Sequence, residues 1–209
     1  RSVSAKKQLA RLLPVLKELR RQSAAPISID TRSAAVAAAC LAEGANIIND
    51  ISALRHDRAM LKLLSRANCR VILMHMLGAP QTMQRHPVYR NVTVEIIEFF
   101  RDRVAVCVDA GIARQRLLVD PGIGFGKTLE HNLSLLRRLS AFRALKLPIV
   151  IGVSRKSFLG ALTGEEEPSR RVAASVAAGM LAVTQGATIL RVHDVAEHAA
   201  ALRVMQALD

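Results

Sequence analysis

The sequence has very few aromatic residues: there is no tryptophan, and only one tyrosine and five phenylalanines occur among 209 residues. Proteins that bind single-stranded nucleic acids usually stack the bases on aromatic side chains, and this chain has few residues to build such a surface. Long apolar runs are lacking as well, because the longest fall well short of the roughly 18 residues of a membrane span. Nothing resembles a signal peptide. We therefore expect a protein without a membrane partner.

Cysteine is also scarce. The three cysteines, Cys40, Cys69 and Cys107, are odd in number and far apart in the sequence. This spacing argues against a disulfide framework and against a zinc site. It is typical of proteins that work in a reducing compartment, and we expect a cytoplasmic location.

The chain is strongly basic, with a formal net charge of +13 and a pI of about 10.9. Such a balance first suggests a nucleic-acid binder. The basic residues are dispersed along the chain, however, and most are arginines on the predicted outer faces of helices. We interpret them as solvated surface and expect no nucleic-acid partner; salt-dependent retention on DNA would indicate otherwise. An anionic small substrate would also be attracted by this charge.

Helix-like and strand-like segments alternate along the whole chain, which predicts one α/β domain with a parallel sheet over residues 1–209. An apolar content of 51% is enough for a single core. Six short apolar runs read as buried parallel strands; they cover residues 27–31, 47–50, 71–75, 117–121, 149–156 and 189–194. Seven helices are predicted at residues 3–20, 33–43, 57–67, 92–110, 129–144, 169–185 and 195–208.

Each of the six runs ends in residues that can bind a ligand or ionise. In an α/β barrel the active site lies at the carboxyl ends of the strands, so six such ends predict one site shared by six strands. A complete barrel has eight strands, and this chain starts on a helix. We therefore expect a (β/α)8 TIM-barrel fold with about six of its eight strands, lacking two strands and one helix at the N-terminus. The alternative is a complete six-stranded doubly wound sheet, whose site would lie at one switch point.

The densest motif is Asp-Pro-Gly-Ile-Gly-Phe-Gly-Lys-Thr at residues 120–128. Its end imitates a phosphate-binding Walker A loop, but that pattern requires glycine where Pro121 stands. The glycines permit a tight turn and a close approach of backbone to ligand. We expect Asp120 to point at that ligand from the mouth of its strand.

Two further motifs suit an anionic or planar ligand. Lys156 and Ser157 offer a charge and a hydroxyl where a short helix begins, which suits a carboxylate or phosphate. Arg191 and His193 are two residues apart on the last predicted strand and should share a face. Asp30, Asn49 and Asp120 could accept hydrogen bonds from the edge of a heterocycle. We interpret His75 as structural and Met74 as a pocket wall.

Taken in order, these strand ends resemble the dihydropteroate synthase family. The matching pieces run from the first helix to the C-terminus; they are Ile-Asp-Thr at 29–31, Ile-Asn-Asp-Ile at 48–51, Leu-Met-His-Met at 73–76 with the loop 78–89, the motif at 120–127, Ser-Arg-Lys-Ser at 154–157 and Arg-Val-His-Asp at 191–194. The family joins 6-hydroxymethyl-7,8-dihydropterin diphosphate to p-aminobenzoate, releasing diphosphate and forming 7,8-dihydropteroate for folate synthesis. Sulfonamides mimic p-aminobenzoate.

The resemblance implies a role for each strand end. The pterin pocket would be lined by Asp30, Asn49, Asp120 and Lys156, and Ile51 and Met74 would pack on the pterin ring. The diphosphate would meet His193 and Arg191, and Arg191 would also stack on the ring. Ser157 would take the carboxylate of p-aminobenzoate, and Gly124, Phe125 and Gly152 would border the site. The catalytic set would be Asp30, Lys156, Arg191 and His193.

The resemblance also implies a Mg²⁺ cofactor and a homodimer. The loops that in the family hold the metal and close over the site have no counterpart here, so we expect them to precede Arg1 and assign no metal ligand in this chain. Two other functions stay open. One is a non-catalytic or truncated pterin-binding homologue. The other is a pterin-dependent methyltransferase domain, against which the Lys156–Ser157 pair counts.

Overall fold

The computed structural model describes residues 3–208. Within this range it contains the six predicted strands, all short, and eight α-helices. The elements, in chain order, are α1 (Ala5–Gln22), β1 (Ser28–Asp30), α2 (Ala34–Ala42), β2 (Ile47–Asp50), α3 (Ala59–Arg66), β3 (Arg70–Met74), α4 (Val92–Asp109), β4 (Leu117–Asp120), α5 (Leu129–Arg137), β5 (Val150–Ile151), α6 (Ser157–Thr163), α7 (Val172–Thr184), β6 (Ile189–Leu190) and α8 (Val195–Leu208).

Helix ends follow signals in the sequence. The Ser4 hydroxyl accepts a hydrogen bond from the Lys7 amide at 3.4 Å and caps the start of α1, as predicted. Gly44 and Gly111 follow α2 and α4 with φ angles of 91° and 92°, a conformation that glycine adopts without strain. Among residues 3–208, no helix is long and apolar enough to cross a membrane.

The chain divides into two compact units. Unit 1 contains the residues up to Met74 together with Phe100–Val119, and unit 2 contains His75–Phe99 and the residues from Asp120 onward. A four-stranded sheet has the order β1-β2-β3-β4, and the β1–β2 and β2–β3 pairs are parallel. In unit 2, β5 and β6 form a parallel pair. Parallel pairing brings the carboxyl ends of neighbouring strands to the same edge of their sheet.

The helix predicted over 129–144 is wrong in its second half. The α-helix ends at Arg137, and residues 139–145 form a 3-10 helix instead. Leu139, Phe142 and Leu145 are all buried, and their spacing of three residues matches the period of a 3-10 helix. The helix predicted over 169–185 starts later, at Val172. The eighth helix is α6, which starts at Ser157.

The last strand is shorter than predicted, and the argument that placed Arg191 and His193 on one strand face is wrong. The strand β6 ends at Leu190. The Arg191 amide still donates to the Ile151 carbonyl at 2.8 Å. The His193 amide donates to the Ser154 hydroxyl at 3.2 Å rather than to a strand carbonyl, so the pairing with β5 stops there.

Several arginines that we interpreted as solvated surface hold the backbone together instead. In unit 1, Arg116 donates to the carbonyls of Leu64 and Cys69, both at 2.7 Å. Arg20 likewise donates to the Gly44 carbonyl at 2.9 Å. Hydrogen bonds from charged donors are stronger than neutral ones, so these side chains fix the loops that surround α3 and α2.

In unit 2, a buried lysine fixes two loops. Lys127 is only 4% exposed; its Nζ donates to the Phe125 carbonyl at 3.0 Å and lies 3.1 Å from Nδ1 of His75. His75 is buried and packs edge-on to Phe99, which agrees with its structural interpretation. The Tyr89 hydroxyl donates to the Gly126 carbonyl at 3.0 Å. The side chains of Lys127 and Tyr89 thus fix two consecutive carbonyl groups of the glycine-rich motif, those of Phe125 and Gly126.

Burial lowers the pKa of Lys127 from 10.5 to about 7; the Asp120 charge acts against this shift and the Lys156 charge adds to it. At a pH between about 7 and 10.5, Lys127 is mainly protonated in the unfolded chain and mainly neutral in the folded chain. The contribution of Lys127 to the free energy of unfolding therefore rises with pH across this range.

We predict that Lys127→Met removes this rise. Urea unfolding of the parent and the variant, at pH 7 and at about pH 9, should show that the parent gains stability relative to the variant as the pH increases. The exposed Lys62 of α3 provides the control substitution, Lys62→Met, which should leave the pH dependence of the parent unchanged. A parent-to-variant difference that stays constant with pH would contradict the buried state of Lys127.

Candidate active site

Asp30 and Asn49 form a hydrogen-bonded pair at the carboxyl ends of β1 and β2 in unit 1. They are partners in the strand register, and the Asn49 Nδ2 amide donates to Oδ1 of Asp30. Asn49 is 3% exposed, and its Oδ1 atom is buried without a hydrogen-bond partner in the described part of the chain. A buried, unpaired carbonyl oxygen is costly. This pair therefore presents an acceptor that a ligand with an N–H group could satisfy.

The turn after β2 is rigid. Asp50 is fully buried, and its Oδ1 accepts hydrogen bonds from the Ser52 amide and hydroxyl, both at 2.6 Å. Burial raises the pKa of Asp50, and the hydrogen bonds from Ser52 act in the opposite direction. Ile51 lies at the start of this turn and is half-buried, while Met74, the last residue of β3, is fully buried. These are the two side chains that we expected to pack on the pterin ring.

Asp120 ends β4 and is the most deeply buried carboxylate of unit 2, with 2% exposure. Its Oδ1 accepts a hydrogen bond from the Gly122 amide at 2.8 Å, which shapes the turn that follows. Burial raises the pKa of Asp120. The Gly122 hydrogen bond and the positive charges of Arg191, Lys156 and Lys127 counter this shift. The surroundings of Asp120 are therefore basic, which favours its carboxylate form.

The side chain of Lys156 packs against the glycine-rich motif at residues 120–128. Its Nζ donates to the Ile123 carbonyl at 2.6 Å and lies 4.3 Å from the centre of the Phe125 ring. A Cβ atom on Gly124 would lie 3.2 Å from Cδ of Lys156, a tight contact, and the φ angle of 82° at this position also favours glycine. Burial lowers the pKa of Lys156 from 10.5 to about 8; the Asp120 charge acts against this shift and Arg191 adds to it.

Arg191 approaches the backbone at Gly152, immediately after β5. A Cβ atom at Gly152 would lie 3.3 Å from Nε and from one terminal nitrogen of the guanidinium. The missing side chain thus leaves room for the flat guanidinium group. Arg191 and His193 are both exposed, and Nδ1 of His193 lies 3.1 Å from the Ser154 hydroxyl. Ser157 is exposed at the first position of α6.

Within unit 2 the structure brings the predicted residues into one basic cluster. Asp120, Gly124, Phe125, Lys156 and Arg191 are linked by the contacts and charge interactions above. Within unit 1 it joins Asp30 to Asn49. Three free cysteines, Cys40, Cys69 and Cys107, are buried. In residues 3–208 no group of three or more histidine, cysteine, aspartate or glutamate side chains could hold a metal ion.

The sequence analysis missed Asn132, which fixes the glycine-rich motif. Its Oδ1 accepts a hydrogen bond from the Gly124 amide at 2.7 Å, and its Nδ2 donates to the Thr128 carbonyl at 2.8 Å. A signal was present: Asn132 is three residues before Leu135 on the buried face of α5. A polar residue on an apolar helix face requires a partner, and here the partner is the motif.

Comparison with known proteins identifies the family to which the chain belongs. The family profile described as pterin binding enzyme matches residues 1–193. The dihydropteroate synthase of Neisseria meningitidis serogroup B is 46% identical over 210 residues, which cover 99% of this chain and 73% of that protein.

Two solved structures are similar over almost the whole chain. Dihydropteroate synthase from Xanthomonas albilineans in complex with 7,8-dihydropteroate superposes with a TM-score of 0.93 at 42% identity, covering 100% of this chain and 78% of that one. The Yersinia pestis dihydropteroate synthase, in complex with a sulfonamide drug, gives a TM-score of 0.96 at 41% identity and covers 99% and 75% of the two chains.

These similarities confirm the predicted fold class, an α/β fold of the TIM-barrel type, in preference to the doubly wound sheet. They also confirm the predicted enzyme class, a transferase that makes dihydropteroate. Matched along nearly its full length by sequence and by structure, the chain belongs to the dihydropteroate synthase family of pterin-binding enzymes.

Proposed function

We propose that this chain binds 6-hydroxymethyl-7,8-dihydropterin diphosphate and p-aminobenzoate and joins them into 7,8-dihydropteroate, with release of diphosphate. The observation that carries the proposal is the charge interaction between the buried Asp120 carboxylate and the half-buried Lys156, whose amine also donates to the Ile123 carbonyl of the glycine-rich motif. Interacting titratable groups whose pKa values are strongly shifted by burial are concentrated at functional sites. The product 7,8-dihydropteroate is the ligand of the similar structure from Xanthomonas albilineans.

Asp120 and Lys156 bind the pterin in this proposal. A pterin carries ring N–H donors and a carbonyl acceptor, so the carboxylate accepts from the ring and the ammonium donates to it. The pKa of Lys156 is lowered to about 8, so the side chain is still mainly protonated at neutral pH. In unit 1, the orphan Oδ1 of Asn49 accepts a further ring hydrogen, and Ile51 and Met74 pack on the ring.

Arg191 and His193 bind the diphosphate. A guanidinium matches two oxygens of a phosphate group at once, and Arg191 is exposed at the end of its segment. Because Nδ1 of His193 is close to the Ser154 hydroxyl, we assign Nε2 to the diphosphate. Negative charge grows on the leaving group as the bond to the pterin methylene breaks, and nearby positive charge stabilises that state most.

Bond cleavage leaves a cation spread over the methylene and the pterin ring, and a carboxylate such as Asp30 stabilises it. The amine of p-aminobenzoate then attacks the methylene carbon and loses a proton. Ser157 holds the carboxylate of p-aminobenzoate, and Phe125 and Gly124 border its ring. Gly152 leaves space for Arg191, since a Cβ atom there would lie only 3.3 Å from the guanidinium nitrogens.

The role of Mg²⁺ remains a prediction. The described residues do not by themselves form a metal site. Mg²⁺ commonly binds through substrate phosphates and only one or two carboxylates, and we derive no step of the reaction from it. A cytoplasmic location and a place in folate biosynthesis are parts of the same proposal.

We predict that Asp120→Asn and Lys156→Ala each weaken binding of the pterin diphosphate about ten- to a hundredfold, because each variant leaves a charged partner unpaired. Isothermal titration calorimetry measures the affinity, and circular dichroism shows whether the variants stay folded. The exposed residues Asp102 and Lys62 provide matched controls, Asp102→Asn and Lys62→Ala, which should bind as the parent does. Parent-like affinity in both site variants would refute the assignment.

The second substrate gives a separate prediction. We expect Ser157→Ala to raise the KM for p-aminobenzoate about tenfold, since one hydrogen bond to a charged group is lost, while pterin diphosphate affinity stays near the parent value. Steady-state release of diphosphate measures the KM, and a sulfonamide should compete with p-aminobenzoate in the parent. The exposed Ser140 provides the control substitution, Ser140→Ala, which should leave this KM unchanged. An unchanged KM in Ser157→Ala would remove Ser157 from the site.

We also propose a homodimer. Helix α8 leaves Val204 and Leu208, one turn apart, 60% and 82% exposed, and an exposed apolar pair on one face suits an isologous contact with a second copy. Sedimentation equilibrium should give twice the chain mass for the parent and a shift toward the monomer for Val204→Glu. Val108→Glu, at an exposed site of α4, is the control and should remain dimeric. A monomer at all concentrations would contradict the proposal.

A further inference from the structure

Arg155 occupies an unfavourable backbone conformation. Its φ angle is 60°, in the left-handed region that residues other than glycine rarely adopt. It lies in the turn between β5 and α6, directly before Lys156 and Ser157. Such a conformation persists only where the surrounding structure holds it in place.

The backbone of Arg155 is held by the start of α7. Its amide donates to the Ser175 hydroxyl at 2.9 Å, and its carbonyl accepts a hydrogen bond from the Arg171 guanidinium at 3.1 Å. The Ser175 hydroxyl in turn donates to the Arg171 carbonyl at 2.6 Å. Arg171 and Ser175 are both buried, so this side of the turn is fixed.

The side chain of Arg155 forms an ion pair with Asp194 in the segment that precedes α8. Its Nε donates to one oxygen of Asp194 at 3.1 Å, and a terminal nitrogen pairs with the other oxygen. The side chains are 32% and 9% exposed, whereas those of the Arg137–Glu130 pair are 63% and 72% exposed. The hydrogen bonds from Arg155 lower the pKa of Asp194. A forked, sheltered pair fixes geometry better than an exposed one.

A second link runs parallel to the first. The Ser154 hydroxyl accepts a hydrogen bond from the His193 amide at 3.2 Å. Two neighbouring residues of the turn, Ser154 and Arg155, are thus tied to two neighbouring residues, His193 and Asp194. The turn carries Ser157, and the other segment carries Arg191 and His193.

We propose that Arg155 and Asp194 are positioning residues, which hold Ser157 in register with Arg191 and His193 and so set the use of p-aminobenzoate. The inference rests on the proposed function. Lys156 has anchors of its own in the Ile123 carbonyl and the Phe125 ring. The pterin contact therefore survives loss of the ion pair, while the placement of Ser157 depends on it.

The test uses Arg155→Asn and Asp194→Asn. Asparagine tolerates the left-handed conformation better than most residues, so the first variant removes the ion pair without adding backbone strain. The second keeps the size of the side chain. We expect the KM for p-aminobenzoate to rise about ten- to a hundredfold in each, as misplacement of a binding group can cost that much. The KM for p-aminobenzoate of the double variant should not exceed that of the more impaired single variant, because both substitutions break the same interaction.

The Kd of 6-hydroxymethyl-7,8-dihydropterin, which lacks the diphosphate that Arg191 and His193 bind, should stay within about threefold of the parent value, because the anchors of Lys156 are unchanged. Glu130→Gln, which breaks the exposed Arg137–Glu130 pair, is the control and should leave every constant unchanged. A lower melting temperature with parent-like KM and kcat in both variants would show a purely structural role and overturn the proposal.

A readout without turnover separates this inference from the proposed function. Hydrogen exchange of the His193 amide, bonded to Ser154, should be faster in both variants than in the parent. Unchanged exchange in both variants would overturn the positioning role even if the parent makes dihydropteroate. A parent that forms no dihydropteroate, with faster exchange in the variants, would refute the proposed function and leave the positioning role of the ion pair supported.

Discussion

The site in unit 2 depends on the interaction of a half-buried lysine with a buried carboxylate, in which the charge of each group opposes the effect of burial on the other. The amine of Lys156 lies between the Ile123 carbonyl and the Phe125 ring, and it interacts with the charge of Asp120. Burial alone would drive the amine to its neutral form and the carboxyl to its acid form. The interaction between the two charges opposes both shifts, so each group favours the charged form of the other while both remain partly desolvated. Desolvated charges interact strongly with a ligand.

Much of the surrounding architecture maintains this arrangement. Gly124 leaves space for the lysine stem, and Asn132 fixes the Gly124 amide. Lys127 and Tyr89 hold the next carbonyls of the motif. Lys127 and Lys156 both interact with the charge of Asp120, but they differ in burial. The Lys127 amine is buried against the Phe125 carbonyl and His75, whereas Lys156 is half-buried.

The strands and the positions of the polar residues at their carboxyl ends could be predicted from the sequence because both are local signals. A buried parallel strand is a continuous apolar run, and a polar residue at its end is visible without knowing the fold. The contacts of Arg116, Arg155 and Arg171 could not be predicted in this way. An arginine that donates to distant carbonyls has the same sequence context as one in solvent, since its partners are chosen by tertiary structure. The predicted end of β6 was too late for a related reason. The His193 amide donates to the Ser154 hydroxyl instead of to a carbonyl of the neighbouring strand.

The unpaired Oδ1 of Asn49 has a consequence for which molecules can occupy its surroundings. A ring nitrogen that carries hydrogen satisfies this oxygen, whereas a carbon or a lone-pair nitrogen at the same place leaves it buried and unpaired. Leaving a buried acceptor unpaired costs roughly 1–3 kcal/mol, which corresponds to a loss of affinity of about 5-fold to 150-fold. Discrimination between heterocycles of nearly identical shape can therefore arise from an atom that makes no hydrogen bond within residues 3–208.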